Sequence, residues 1–322
     1  MIILYELHWS HYCEKIRWAL DFKQLSWKKI NINAFTKKEI IQYGNEQNRH
    51  LVPFIFDDKT SVGMQESTPI LRYFEQTYPD SPALFPIELD QFELVDRWLI
   101  ELDSKLGLAA RRLGYAQLIM EKPTILATLF LPQKLKLLAL PGFCHLSSAI
   151  LSMLLIKRFQ LEKNEEYDLY EEVESYLISL SKILENKKYL AGDKFSAVDL
   201  TLAVYLRPLR IVPFFYDNPQ LKSLFSWQEN LFREHNREDT LLYETLIVQN
   251  RQKKPPVRRK IRDNNSTSGY LNLLSKNQEG KKIAFNDQES VWTWKILLCP
   301  YYLFFKIKKR AISQFNATES IR

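Results

Sequence analysis

Cysteine is scarce in this chain: three in 322 residues, Cys13, Cys144 and Cys299, with no paired spacing. That excludes a disulfide framework and a zinc ligand set, and it fits a reducing compartment. The opening MIILYELHW has no basic segment and no small-residue cleavage site, so no signal peptide is expected. The Asn-x-Ser/Thr triplets at Asn264, Asn265 and Asn316 are then chance matches. The Lys/Arg runs have no nucleic-acid-binding module behind them, so nucleic acid is not an expected partner. The net charge of +7 is lopsided: 16 Lys/Arg stand against 5 Asp/Glu from Arg251 onward, and 29 against 33 before it. The basic pI therefore belongs to the tail and says nothing about what the body binds. With 46% hydrophobic residues, the length is enough for two cores.

The stretch from His50 to Pro79 organises the rest. Val52-Pro53 leads into a short apolar strand (Phe54-Ile55-Phe56), a polar turn at Asp57-Asp58-Lys59, and a second strand from Ser61 to Gln65. Glu66-Ser67-Thr68-Pro69 then opens an amphipathic helix with Ile70, Leu71, Phe74 and Tyr78 along one face. Ser67 or Thr68 is expected to cap it, and Pro69 suits a first turn whose N–H groups have no partner. A helix start draws a carboxylate, and Glu66 beside it can meet an ammonium group. Together they suit the head of a free amino acid.

Upstream, residues 2–8 read as an apolar strand, Trp9 to Tyr12 as a turn, and Cys13 to Lys23 as a helix with Ile16, Ala19 and Leu20 inward. Trp27 to Ile32 reads as another strand. Thr36 to Tyr43 reads as a short helix capped by Thr36, with Glu39 three residues on. The order is βαβαββα.

That order, with Val-Pro before a hairpin and Glu-Ser at the next helix, resembles the thioredoxin-like domain of cytosolic glutathione transferases. The motif S-x-Y-C-E-K-x-R-W-A-L, Ser10 to Leu20, is similar to the start of the serine-type members. The resemblance implies a cis Pro53, a backbone pairing of Val52 with the cysteine of glutathione, and Glu66 and Ser67 on its γ-glutamyl end. It also implies Ser10 as the catalytic residue. A thiol of ordinary pKa, near 8.5, is only a few per cent ionised at neutral pH. A hydroxyl donor beside a helix N-terminus would hold the reactive thiolate. Read without the family, Ser10 is the N-cap of the first helix, Ser67 an ordinary cap and Cys13 a small buried residue. His11 stands where the common pattern has proline. His8 and His11 could tune a nearby thiol or be solvated, and His50 or Arg49 could meet the glycine carboxylate of glutathione.

Residues 1–82 are thus expected to form the glutathione-binding domain and 83–87 a linker. Residues 88–250 are expected to form an all-helical bundle with an apolar insertion at about 115–160. From Ile87 a long helix should bury Phe92, Val95, Leu99, Leu102 and Leu106. Residues 137–156 hold twenty consecutive uncharged residues, enough on paper to span a bilayer, but Pro141-Gly142 interrupts them. A helix of about fourteen residues, buried or lying on a membrane surface, is the favoured reading. Tyr170 to Leu184 is another helix, and Tyr189 to Leu209 carries a capping box, Ser196 with Asp199, flanked by the staple Phe195 and Leu200. Asp199 is read as a folding residue. Arg207 and Arg210 read as facing the cleft or solvated. The 251–322 tail is basic and partly disordered, with an aromatic segment at 292–310 whose terminal basic cluster suits an anionic membrane surface or docks on the body.

The expected fold is therefore α+β followed by all-α. The expected function is conjugation of glutathione, as co-substrate, to a small electrophile. The alternative is a non-catalytic protein of this fold that binds a thiol ligand, a partner or a membrane. The resemblance implies a homodimer, which the altered second domain could block, and a cytoplasmic location with membrane-surface association through the tail.

Overall fold

A computed structural model describes residues 1–41, 43, 51–121, 123–130, 143–159, 161, 166–238 and 244. The chain divides into two units, Met1–Leu273 and Leu274–Arg322, and all described residues lie in the first. The expectations for His50 and Arg49, for Pro141-Gly142 and for the tail fall outside the described residues.

The sheet is built from β1 (Ile2–Glu6), β2 (Trp27–Asn31), β3 (Phe54–Asp57) and β4 (Val62–Gln65) in the order β2-β1-β3-β4. β1 runs parallel to β2 and antiparallel to β3, with Leu4 opposite Ile55. β3 pairs antiparallel with β4, Phe54 opposite Gln65. Alternation along β1 serves two layers. Ile2 and Leu4 are buried together with Ile16 and Leu20 of α1 (His11–Phe22) and Ile70, Leu71 and Phe74 of α3 (Ser67–Thr77). Tyr5 and Phe54 pack with Ile32 and with Ile40 of α2 (Lys38–Ile41). This is the thioredoxin-like βαβαββα domain, and a helical domain follows it.

Two of the expected caps are not formed. Asn33, not Thr36, closes the approach to α2: its Oδ1 accepts the N–H groups of Phe35 and Thr36, and Glu39 accepts from Asn33 N. α3 begins at Ser67, so its cap falls one residue before the expected pair. Glu66 is the N-cap, at φ +73, with no side-chain bond to the helix. Thr68 is drawn off instead by a buried lysine, described below.

The helical domain opens with α4 (Leu89–Leu102), a π-helical turn (Asp103–Gly107) and α5 (Leu108–Glu121) in near-continuous succession. Val95, Leu99, Leu102 and Leu106 are buried as their spacing requires, while Phe92 lies at the margin, 36% exposed. A hairpin of α6 (Pro123–Phe130) and α7 (Cys144–Phe159) packs on α5. Among the described residues no helix is long and apolar enough to cross a membrane. α8 (Glu166–Leu184), α9 (Ala197–Arg210), α10 (Pro213–Tyr216), a 3-10 turn (Pro219–Leu221) and α11 (Lys222–Glu234) follow.

α9 is the central helix, with every residue but Pro208 buried. A helix buried all round has no water to satisfy its start, so the capping box carries that duty. Asp199 accepts Ser196 N–H at 2.9 Å and Leu190 N–H at 2.7 Å, while Leu84 O accepts Ala197 N–H at 2.8 Å. Leu84 and Phe85, between the two domains, are themselves buried. Arg207 and Arg210, read from sequence as cleft-facing or solvated, are 6% and 3% exposed and paired with Glu244 and Glu229. These partners lie 37 and 19 residues away in the chain.

α5 and α9 touch backbone to backbone at Gly114, where an added Cβ would lie 2.8 Å from Pro208 Cβ and 3.2 Å from Pro208 O. Gly114→Ala must therefore push the two helices apart. It is expected to lower unfolding stability by about 1–3 kcal/mol, read as a shifted urea midpoint.

Candidate functional site

The turn after β1 closes with Leu7 O accepting Ser10 N–H at 2.9 Å. Ser10 is extended (φ −70, ψ 122), and its Oγ accepts Cys13 N–H at 3.4 Å. It is the N-cap of α1, half-buried, and its side chain also bonds the Cys13 thiol. Cys13 is fully buried. Burial pushes its thiol up to about 12, so it stays protonated at neutral pH and is no nucleophile. His11 is also buried, its Nε2 3.2 Å from Gly107 O. Burial, with Arg111 and Arg207 nearby, pushes its pKa down to about 3, leaving a neutral ring. His8 is exposed.

The Val52-Pro53 peptide bond is cis. Gln65 Oε1 accepts Leu51 N–H at 3.1 Å, tying the segment before it to the end of β4. Glu66 is exposed, and Ser67 is buried with its hydroxyl on the Tyr205 phenol. The adjacent network fixes the start of α3 against α1. Lys15 Nζ donates to Thr68 Oγ1 at 2.6 Å and to Asp103 Oδ1 at 3.4 Å, while Thr68 and Tyr205 donate to the two oxygens of Asp103. Burial holds the Lys15 ammonium down at about 8. The Tyr205 ring also stands 5.3 Å from those of His11 and Tyr12. One aromatic side chain thus touches both the Ser10 turn and the start of α3.

A cavity of about 350 Å³ opens beside Ser10, walled by His11, Arg111, Tyr115, Arg207 and Pro208 among others. None of Val52, Pro53, Glu66 and Ser67 lines it. Part of that wall is a chain of mostly buried charges. Arg17 bonds Glu6 and Glu14, and Arg237 bonds Glu14 at 2.6 Å and Asp21 at 2.8 Å. Burial pushes the Glu14 carboxyl up, but Arg17, Arg237 and Arg207 outweigh it and hold it below the usual glutamate range.

Sequence reasoning did not find Lys15, Asp103 or Tyr205, nor Glu14 with its arginines. A signal was present in the first helix: Glu14, Lys15 and Arg17 interrupt the positions that Ile16, Ala19 and Leu20 define as inward, yet all three are buried. Among the described residues no cluster of His, Cys, Asp and Glu could hold a metal ion.

Residues 4–82 match the family model for the glutathione S-transferase N-terminal domain, and residues 143–234 match that for its C-terminal domain. Among solved structures, the chain is similar to a Bombyx mori glutathione transferase at 16% identity and TM-score 0.53, covering 77% of this chain and 96% of that one. It is also similar to glutathione transferase F7 from Populus trichocarpa (15%, TM-score 0.51, covering 77% and 99%) and to rice GST1, solved in complex with glutathione (16%, TM-score 0.50, covering 86% and 98%). At these identities the likeness is one of fold. No curated protein matches the sequence. The two domain models together span a little over half of the sequence, in the order that the fold follows, and the chain belongs to the glutathione transferase family.

Proposed function

We propose that this protein binds glutathione between the Ser10 turn and the start of α3 and transfers it to an electrophile, with Ser10 donating its hydroxyl to the thiolate. Ser10 itself supports this most: a half-buried cap that accepts from Cys13 N at 3.4 Å and borders the cavity. An acceptor already engaged by the helix and a donor aimed at sulfur are compatible roles for one hydroxyl. The γ-glutamyl carboxylate would meet the N–H groups at the start of α3, and its ammonium the exposed Glu66. Glutathione in the rice relative's structure is consistent with that use of the fold.

Glu66→Gln keeps the shape and removes the charge. It is expected to weaken retention of the full chain on immobilised glutathione about tenfold, and unchanged retention would remove the ammonium contact from the account. A second reading, a binding protein without turnover, is favoured by the engagement of the Ser10 side chain with both the amide and the thiol of Cys13. Conjugation of glutathione to a chlorodinitrobenzene separates the two. Turnover marks the enzyme, and retention without turnover the binding protein.

A further inference from the structure

α7 is apolar on both of its sides, and only one of them is covered. Ser148, Leu151, Ser152, Leu155 and Ile156 face the body of the domain and are buried. On the other side, Phe143 at the helix start and Leu146 are each 59% exposed, and Leu154 is 41% exposed. Ile150, half-buried, stands between them. Their i, i+3, i+7, i+11 spacing places all four in one stripe along the helix. The stripe runs into Lys157 and Arg158, both exposed, in the last turn. A continuous apolar face left open to water marks a surface that meets something else.

Charge decides what meets it. Pro123 to Leu161 holds Lys134, Lys136, Lys157 and Arg158 and no Asp or Glu. Taking those four from the 29 leaves 25 Lys/Arg against 33 Asp/Glu in the rest of the first 250 residues. The hairpin is therefore an apolar, cationic patch on an otherwise acidic body. The segment before α2 adjoins it: Phe35 is 52% exposed with its ring 6.5 Å from that of Phe130, and the charge of Arg158 reaches Lys37. Lys38, next in the chain, is exposed.

A second copy of the chain would set one hairpin without carboxylates against another. The 251–322 tail carries the same sign, with 16 Lys/Arg against 5 Asp/Glu. An anionic bilayer offers apolar depth and opposite charge together. By contrast, the exposed row Ile87, Leu89 and Phe92 stands among Glu88, Asp90 and Glu93 and lacks that match.

We propose that α7 docks this protein on an anionic lipid surface, with Phe143, Leu146 and Leu154 at the acyl boundary and Lys157 and Arg158 on the headgroups. At 16 residues, with one side buried in protein, the helix lies along the bilayer and does not cross it. The docking is independent of the glutathione reading.

Cosedimentation of the full chain with vesicles of phosphatidylcholine, alone or mixed with phosphatidylglycerol, tests it. Partition onto the anionic vesicles is expected to be at least about tenfold the stronger, and to fall as salt rises. In the full chain, Leu146→Glu with Leu154→Glu should lower that partition about tenfold, and so should Lys157→Gln with Arg158→Gln. All four side chains are exposed, so both variants should keep the wild-type circular dichroism and retention on immobilised glutathione. Equal partition onto the two kinds of vesicle in the wild type would overturn the proposal, with no variant needed. So would undiminished partition of either folded variant, which would assign the affinity to the basic tail. A self-associating wild type that Leu146→Glu with Leu154→Glu renders monomeric, in sedimentation without vesicles, would overturn it in favour of a second copy.

Discussion

Ser10→Ala is expected to lower kcat/KM for glutathione conjugation about a hundredfold, the cost of removing one donor aimed at a developing or resident anion. The loss should depend on pH. Without the hydroxyl, the bound thiol returns toward its ordinary pKa near 8.5, so the variant's rate climbs through about pH 8 to 9 while the wild type has already levelled off. Ser10 is also the cap of α1, and the same substitution takes about 1 kcal/mol from the helix. Ser10→Asp divides the two roles. Aspartate caps as well as serine but offers sulfur no proton, so stability should be kept and conjugation lost. Activity in Ser10→Asp comparable with wild type would reduce Ser10 to its capping duty alone.

Glu14→Ala is expected to cost about 3–5 kcal/mol of unfolding stability, a large part of what a typical chain possesses. The side chain is 2% exposed and serves Arg17 and Arg237 directly, with Arg207 4.0 Å away. Removing it leaves buried guanidinium groups with half their partners, and none can shed its proton. The pH dependence follows in sign. A carboxyl held below its unfolded value of about 4.5 contributes stability that is fully present above that pH and is lost as pH falls through the folded value. The gap between wild type and variant, read from urea midpoints, should therefore close as pH drops below 4.5. A loss under about 1 kcal/mol at pH 7 would show that Arg17 and Arg237 find new partners at little cost.

Local pattern revealed most of the fold. Short apolar runs gave β1 and β3, the polar turn after β3 gave β4, and Ser196 with Asp199 marked the start of the central helix because a capping box is written in four consecutive residues. Caps that depend on other elements were misread. Thr68 looks like a helix-start residue until Lys15, 53 positions earlier, and Asp103, 35 positions later, claim its hydroxyl. Asn33 displaced Thr36 because an Asn side chain can bond the two N–H groups that follow it. Arg207 and Arg210 were open to a solvated reading because long-range ion pairing leaves no trace in nearby sequence. The site divides along the same line. Ser10, Glu66 and Ser67 stand in a recognisable motif, whereas Arg111 and Arg207 become one feature only once Gly114 lets α5 lie on Pro208 of α9.

The central claim is that Ser10 holds the sulfur of bound glutathione as thiolate, and an ultraviolet difference titration of the thiolate on the full chain reads it directly. Wild type with saturating glutathione should show thiolate absorbance at pH 7, and Ser10→Ala only as pH nears about 8.5. No thiolate in the wild type at pH 7, or the same titration curve in both proteins, would contradict it.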